Sequence, residues 1–167
     1  KLNYSCNMIS SFNNKEALKL ILTKCDFFVL TGGNDIGQYP VRDELEKEIL
    51  IHAKIHKKPV LGICRGMQFM LDYEGFKIKE ISGHVRTNHS IKFFNGIKKS
   101  IYVNSFHKYG IEVKNITYPF KLIASSSDNI AEQISHLNFP WVGIMWHPER
   151  NKNLHHYDKN LILELFS

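Results

Sequence analysis

Gly62-Ile63-Cys64-Arg65-Gly66 constrains this chain more than any other stretch. An apolar run, Val60 to Ile63, meets a cysteine fenced by two glycines, and Met67, Phe69, Met70 and Leu71 follow in an amphipathic segment. The pattern predicts a buried strand, a sharp turn and a helix, the thiol counterpart of the Gly-x-Ser-x-Gly nucleophile elbow. A strained turn of this kind excludes side chains two positions before and two after the nucleophile. The helix that follows aims its N-terminus at the sulfur, and its partial positive charge favours thiolate over thiol. The N–H of Arg65 is free to hold a developing oxyanion. An isolated cysteine is more often a small buried thiol, so the rest of the chain has to supply a base.

The flanking pattern predicts an α/β fold of three layers, with a mostly parallel central sheet between helices and a small antiparallel extension. A weak strand is expected over 2–9, and a helix over 11–24, capped by Asn13 or Asn14, with Ala17, Leu18, Ile21 and Leu22 inward. A strand over 26–30 runs into Thr31-Gly32-Gly33-Asn34-Asp35-Ile36. That loop is either an ordinary tight turn or an anion-holding loop at the C-terminal edge of a parallel sheet. A helix over 42–57 with Leu45, Ile49, Leu50 and Ala53 inward leads through Pro59 to the elbow. Beyond Gly75 the pattern turns to short strands: an alternating stretch over 76–81, strand edges around His84 and His89–Phe93, a turn at Asn95-Gly96, and a strand over 100–103 leading to Asn104-Ser105-Phe106-His107. A hairpin over 121–134 turns at Ser126–Asn129, a strand covers 141–146, and an amphipathic helix is expected over 151–166. The whole of 1–167 reads as one domain, and an α/β domain of this type is expected to have a further strand before Lys1.

Composition removes several function classes. Of the 167 residues 43% are hydrophobic and 23% charged, ordinary for a globular chain, and no apolar run reaches the ~20 residues a membrane span needs. Cys6, Cys25 and Cys64 are odd in number and far apart, which argues against a disulfide framework or zinc knuckle and for a cytoplasmic setting. The net charge of +6 suits an anionic metabolite. The lysines are scattered among acidic residues, as in Glu44-Leu45-Glu46-Lys47-Glu48, so no nucleic-acid stripe forms. His84, His89, His155 and His156 show no ligand spacing, and neither metal nor cofactor is expected.

The base comes from His147-Pro148-Glu149, which follows a strand end. Pro148 fixes φ and so the relation of the two side chains. A carboxylate on one imidazole nitrogen leaves the other to take the proton from Cys64.

Three stretches in this order, Gly-Gly-Asn-Asp-Ile, Pro-Val-Leu-Gly-Ile-Cys-Arg-Gly-Met-Gln and Gly-Ile-Met-Trp-His-Pro-Glu-Arg, resemble the class I glutamine amidotransferases over about Phe27 to Arg150. Arg65 and Val103-Asn104-Ser105-Phe106-His107 resemble the branch of free-standing γ-glutamyl hydrolases, such as the hydrolase of γ-glutamyl-γ-aminobutyrate. The resemblance implies Cys64 as nucleophile, His147 as base and acid, and Glu149 as its orienting partner. It implies an oxyanion hole from the N–H groups of Gly33 and Arg65. Gln68, with the Ser105-Phe106-His107 backbone, would hold the glutamyl group. Phe106 stands where these hydrolases often carry a second histidine, and the loop after Gly33 is short, which leaves the leaving group open. The implied substrate is a small γ-glutamyl amide. One form is the nucleotide-linked γ-glutamyl-CDP-amidate of capsule biosynthesis, for which Arg86, Lys108 or Arg150 would contact phosphate. The alternative is a glutaminase subunit that passes ammonia to a separate synthase. Oligomeric state is not legible.

Overall fold

The computed structural model describes residues 5–10, 14–94 and 100–167. In chain order the elements are α1 (Lys15–Leu22), β1 (Phe28–Leu30), α2 (Pro40–His56), β2 (Val60–Ile63), α3 (Arg65–Tyr73), β3 (Lys79–Glu80), β4 (Val85–Phe93), β5 (Ile101–Phe106), β6 (Tyr109–Gly110), β7 (Phe120–Ser126), β8 (Ala131–His136), β9 (Trp141–Ile144) and α4 (His156–Leu165). Seven strands form one sheet in the order β1-β2-β9-β8-β7-β4-β5, and β3 pairs with β6 apart from it.

The sheet changes character at β9. β1 with β2 and β2 with β9 are parallel, and every pairing from β9 through β8, β7 and β4 to β5 is antiparallel. The α/β class holds, but the antiparallel part is larger than the sequence pattern suggested. α2 connects the parallel pair β1 and β2, whereas β7 and β8 are joined by a tight turn with Asn129 at φ 63°. A helix-free stretch of chain pairs most directly with its own sequence neighbour, and that pairing is antiparallel.

Layering follows from strand alternation. Val60 of β2 packs with Leu18 and Leu22 of α1, Leu50 of α2 and Met70 of α3 on one face. Leu61 and Ile63 face the other side with Ile91, Ile144 and Trp146, covered by Tyr157, Leu161 and Leu165 of α4.

Local chemistry sets the helix ends. Asn14 caps α1, its Oδ1 accepting from the N–H groups of Glu16 and Ala17. Only Leu18 and Leu22 are buried there, and Ala17 and Ile21 are exposed, a narrower face than expected. Pro40 opens α2, where a missing N–H costs nothing, and Lys57 closes it in the left-handed region. α4 is shorter than the periodicity predicted: Pro148–Arg150 form a 3₁₀ turn, and the helix starts only after His155, whose ring accepts from the Tyr157 N–H. Leu154 is correspondingly exposed. β1 is an edge strand with Val29 exposed, the stretch 76–81 pairs only at Lys79–Glu80, and residues 5–10 form no strand. Asn13 and the Asn95-Gly96 turn lie outside the described residues.

Candidate active site

Three neighbouring parallel strands, β1, β2 and β9, end at one edge of the sheet, each in one of the loops singled out above. Leu30 is in register with Gly62, and Ile63 with Ile144. The chain therefore leaves the sheet side by side at Thr31, Cys64 and Met145. The carboxyl edge of a parallel sheet is where α/β proteins place their ligands.

Cys64 sits at the tightest point. Its φ of 50° and ψ of −103° lie where a non-glycine residue is strained. Its N–H is anchored to the Ile144 carbonyl at 2.7 Å, and its carbonyl accepts from the Gln68 N–H at 3.1 Å, the first turn of α3. Both fencing glycines are required by contact. A Cβ on Gly62 would lie 2.5 Å from Met70 Sδ and 2.7 Å from the Gly66 carbonyl carbon, and one on Gly66 would overlap the Leu30 carbonyl oxygen.

Burial decides the state of the thiol. Cys64 is 6% exposed, and desolvation pushes its pKa up to about 11, against the lowering effects of the Arg65 N–H and the Arg150 charge. The carboxylates of Glu149 and Glu132 push in the same direction as burial. The helix N-terminus thus does not by itself make a thiolate here, contrary to the expectation from sequence. At neutral pH the resting group is the protonated thiol.

His147 is buried, with Nδ1 2.6 Å from Glu149 Oε1. A carboxylate only accepts, so Nδ1 carries the hydrogen and Nε2 presents its lone pair. Burial is the largest single influence and would raise the Glu149 carboxyl, but the hydrogen bond from His147, a backbone hydrogen bond and the charges of His147 and Arg150 together hold the group below the usual range. Gly32 lies flat against the imidazole: a Cβ there would be 2.5 Å from His147 Cε1. Asn104 had no role in the sequence reading, yet its side chain bonds both the N–H and the carbonyl of His147.

The Gly-Gly loop is held from below by four charged side chains. Arg42 donates to the carbonyls of Thr31 (2.7 Å) and Gly32 (3.2 Å) and to Asn34 Oδ1 (3.3 Å), while its Nε bonds Glu46 at 2.8 Å. Arg65 turns its guanidinium away from the edge into the interior, 1% exposed, and pairs with Glu46 and Asp43. Asp43 accepts from the Gly37 N–H at 2.8 Å. Both ends of the loop are thereby tied to the residue that follows Cys64. Gly33 has a φ of 153°, and any Cβ there would overlap the Arg42 guanidinium.

The residues expected to bind substrate divide into two groups. Gln68 Nε2 donates to the Tyr109 carbonyl at 2.9 Å, Ser105 Oγ to the His84 carbonyl at 2.8 Å, and His107 Nδ1 to the Tyr109 carbonyl at 3.0 Å. These side chains brace the wall of the site. Phe106 is the exposed one: its ring meets His147 edge-on at 5.8 Å, and the Arg150 guanidinium lies 4.2 Å above its face. Of the three cations considered for phosphate, Arg150 stands at the site, Lys108 is paired with Glu80 at 3.3 Å, and Arg86 marks a bulge in β4 at φ 53°. His84 and His89, which show no ligand spacing in sequence, converge on the buried Glu132. Among the described residues no helix is long and apolar enough to cross a membrane.

An elbow cysteine at the end of one parallel strand, with a His–Glu pair just beyond the end of the next, describes the candidate site. The chain belongs to the class I glutamine amidotransferase family, whose model matches residues 1–164. It is 32% identical over 145 residues to the γ-glutamyl-CDP-amidate hydrolase of Campylobacter jejuni, covering 83% of this chain and 68% of that protein. It is 28% identical over 193 residues to the glutamine amidotransferase-like protein YvdE of Lactococcus lactis, covering 96% and 80%. Imidazole glycerol phosphate synthase subunit HisH of Pyrococcus furiosus is 32% identical over 171 residues, covering 83% and 85%. In three dimensions a glutamine amidotransferase of Thermotoga maritima superposes with a TM-score of 0.66 at 17% identity, over 77% of this chain and 58% of that one. A Thermoplasma acidophilum protein described as a GMP synthase subunit gives 0.71 at 23% identity, over 88% and 74%. The two solved structures establish the fold.

Proposed function

We propose that this protein hydrolyses a γ-glutamyl amide through a γ-glutamyl thioester, with Cys64, His147 and Glu149 as its triad. The observation that carries the reading is the strained, buried Cys64 at the end of β2, beside the strand that leads into the His147–Glu149 pair. Because the resting thiol is protonated, the sulfur needs a base in the same step. His147 Nε2 takes the proton as Sγ attacks the side-chain carbonyl carbon of the glutamyl group. The N–H groups of Arg65 and Gly33 hold the oxyanion, each such donor contributing about 2.7–4 kcal/mol. On collapse the C–N bond breaks and His147 returns its proton to the leaving nitrogen. Water, deprotonated by the same nitrogen, then cleaves the thioester to glutamate and free thiol.

For the leaving group we favour a nucleotide-linked amidate, γ-glutamyl-CDP-amidate giving cytidine diphosphoramidate for capsule decoration. Two observations support it: the likeness to the Campylobacter hydrolase of that substrate, and the Arg150 guanidinium laid on Phe106 beside His147. A phosphate-bearing leaving group would meet that charge. The likeness to HisH favours a second reading, a glutaminase that delivers ammonia to a synthase partner.

Glutamate release is the test, measured with mass spectrometry of products from glutamine, γ-glutamyl-aminobutyrate, γ-glutamyl dipeptides and γ-glutamyl-CDP-amidate, with Cys64→Ala as control. Cysteine-dependent release, fastest from the nucleotide amidate, is the expected result. Equal release from all four would overturn the nucleotide assignment. Release from glutamine alone, raised by a synthase, would favour the second reading.

A further inference from the structure

Outside the proposed triad, the described part of the molecule buries a second set of titratable groups. Glu132 of β8 is 0% exposed, and neither of its carboxylate oxygens has a hydrogen-bond partner. Three imidazoles from other elements surround it. Oε1 lies 3.4 Å from His84 Nδ1, 3.2 Å from His89 Nε2 and 3.6 Å from His107 Nε2. His84 Nδ1 and His107 Nε2 are 3.2 Å apart. His89 Nε2 is itself buried without a hydrogen bond.

The outer partners of the rings fix what the inner atoms offer. His84 Nε2 is 2.9 Å from Asp128 Oδ2, and Asp128 is held in turn by Ser126 Oγ at 2.5 Å. His107 Nδ1 is 3.0 Å from the Tyr109 carbonyl. Carboxylate and carbonyl oxygens only accept, so these outer nitrogens carry the hydrogens. In the neutral rings the inner nitrogens then point bare lone pairs at each other and at a buried carboxylate. That arrangement is repulsive unless a proton or a metal cation occupies its centre. A single proton would join one pair of these atoms and leave the others unmatched. Separations of 3.2–3.6 Å are also long for hydrogen bonds. They match the ligand-to-ligand edge of a tetrahedral zinc site, about 3.3 Å for bonds of ~2.0–2.1 Å. An imidazole whose far nitrogen donates to a carboxylate or a backbone carbonyl is the usual arrangement of a metal-binding histidine.

We propose that His84, His89 and Glu132 form a binding site for a divalent transition-metal cation, with His107 packed beside them, and that the cation is zinc. The donor set of imidazoles and one carboxylate suits zinc among the common divalent ions. The ligands come from the residue just before β4, from β4 itself and from β8, so the ion would cross-link two strands of the antiparallel half of the sheet. The Tyr109 carbonyl that accepts from His107 also accepts from Gln68 of α3. A bound ion would therefore stiffen the wall beside Cys64 without being a reagent in the chemistry. Its entry side is the His89 ring, 17% exposed, and the half-exposed Asp128.

The experiment is metal analysis of the full chain, purified without a histidine tag and stripped with a chelator. It is then titrated with zinc against a chromophoric competitor, and thermal unfolding is followed with and without the ion. The expected result is one zinc per chain and a higher Tm with zinc. Affinity should fall at least 10–100-fold in Glu132→Gln and in His89→Gln. The partly exposed His89 serves if the Glu132 variant does not fold. The same stoichiometry should persist in Cys64→Ala and in the His155→Ala/His156→Ala double variant. No tight zinc in the wild type, unchanged affinity in His89→Gln, or loss of the ion in Cys64→Ala would each overturn the assignment. The last would place the metal on the elbow thiol.

Discussion

Asn104 holds His147 by both of its backbone groups: Nδ2 donates to the His147 carbonyl and Oδ1 accepts the His147 N–H, each at 2.8 Å. His147 lies just beyond β9, in irregular backbone (φ −113°, ψ 87°) outside the sheet's own hydrogen bonds. A side chain from β5 thus supplies the backbone partners that the sheet does not. Asn104→Ala should lower kcat on the order of 10²-fold through misplacement of the imidazole. It should cost about 1–3 kcal/mol of stability for the His147 N–H left unpaired, since the carbonyl keeps the Arg150 N–H at 3.2 Å. Steady-state kinetics beside denaturant unfolding would measure both, and an unchanged kcat would show that the loop holds itself.

Glu149→Gln tests the orienting carboxylate. An amide preserves the shape but can present its NH₂ to His147 Nδ1 and so favour the wrong tautomer. We expect kcat to fall between about 10² and 10⁴-fold, with KM changed far less. A drop in affinity with kcat intact would instead assign Glu149 to substrate binding.

The thiol offers a pH test. Burial raises the Cys64 pKa to about 11, so the thiolate fraction keeps growing across the whole range from pH 7 to 10. Alkylation of the unliganded protein by iodoacetamide should rise about tenfold per pH unit over that range without a plateau. Since the nearby Arg150 charge lowers the same pKa, Arg150→Ala should slow alkylation at any given pH. A plateau near pH 7 would mean that the helix N-terminus prevails over burial.

Arg42 is the strut of the Gly-Gly loop, with bonds to Thr31, Gly32, Asn34 and Glu46. Arg42→Lys keeps the charge but loses the planar fork that reaches several acceptors at once. The expected signature is a lower kcat at nearly constant KM, because an oxyanion donor acts on the transition state rather than on bound substrate. An equal rise in KM would indicate that the loop shapes the ground-state pocket instead.

Gly66→Ala should destabilise the fold by at least about 1–3 kcal/mol, since the added methyl overlaps the Leu30 carbonyl oxygen, a backbone atom with little freedom to move. Gly75→Ala is the control: its φ of 86° is strained for alanine, but nothing lies within 4 Å of the new atom. Thermal unfolding should therefore separate steric cost from backbone cost.

The elbow was legible in sequence because its determinants are local: an apolar run, two glycines at fixed spacing and a helix start all act within ten residues. The same holds for α2 with Leu45, Ile49, Leu50 and Ala53 inward, for β2 and β9, and for the His147–Glu149 pair, whose geometry Pro148 constrains. Other features depend on contacts across the sheet. Asn104 stands 43 positions from His147, and the tie between Arg65 and Glu46 spans 19. The predominance of antiparallel pairing, the convergence of His84, His89 and His107 on Glu132, and the turn of Arg65 away from the carboxyl edge of the parallel strands follow from which strands become neighbours. The thiol state was misjudged for a related reason. The sequence shows the helix whose N-terminus favours thiolate, but not the packing that removes water from Cys64, and desolvation is the larger effect. The sequence by itself therefore determined the α/β class, the elbow and the residues of the candidate triad, through local spacing. Only the tertiary structure decided their supports, their electrostatics and the buried histidine cluster, because these depend on the proximity and burial that strand pairing creates.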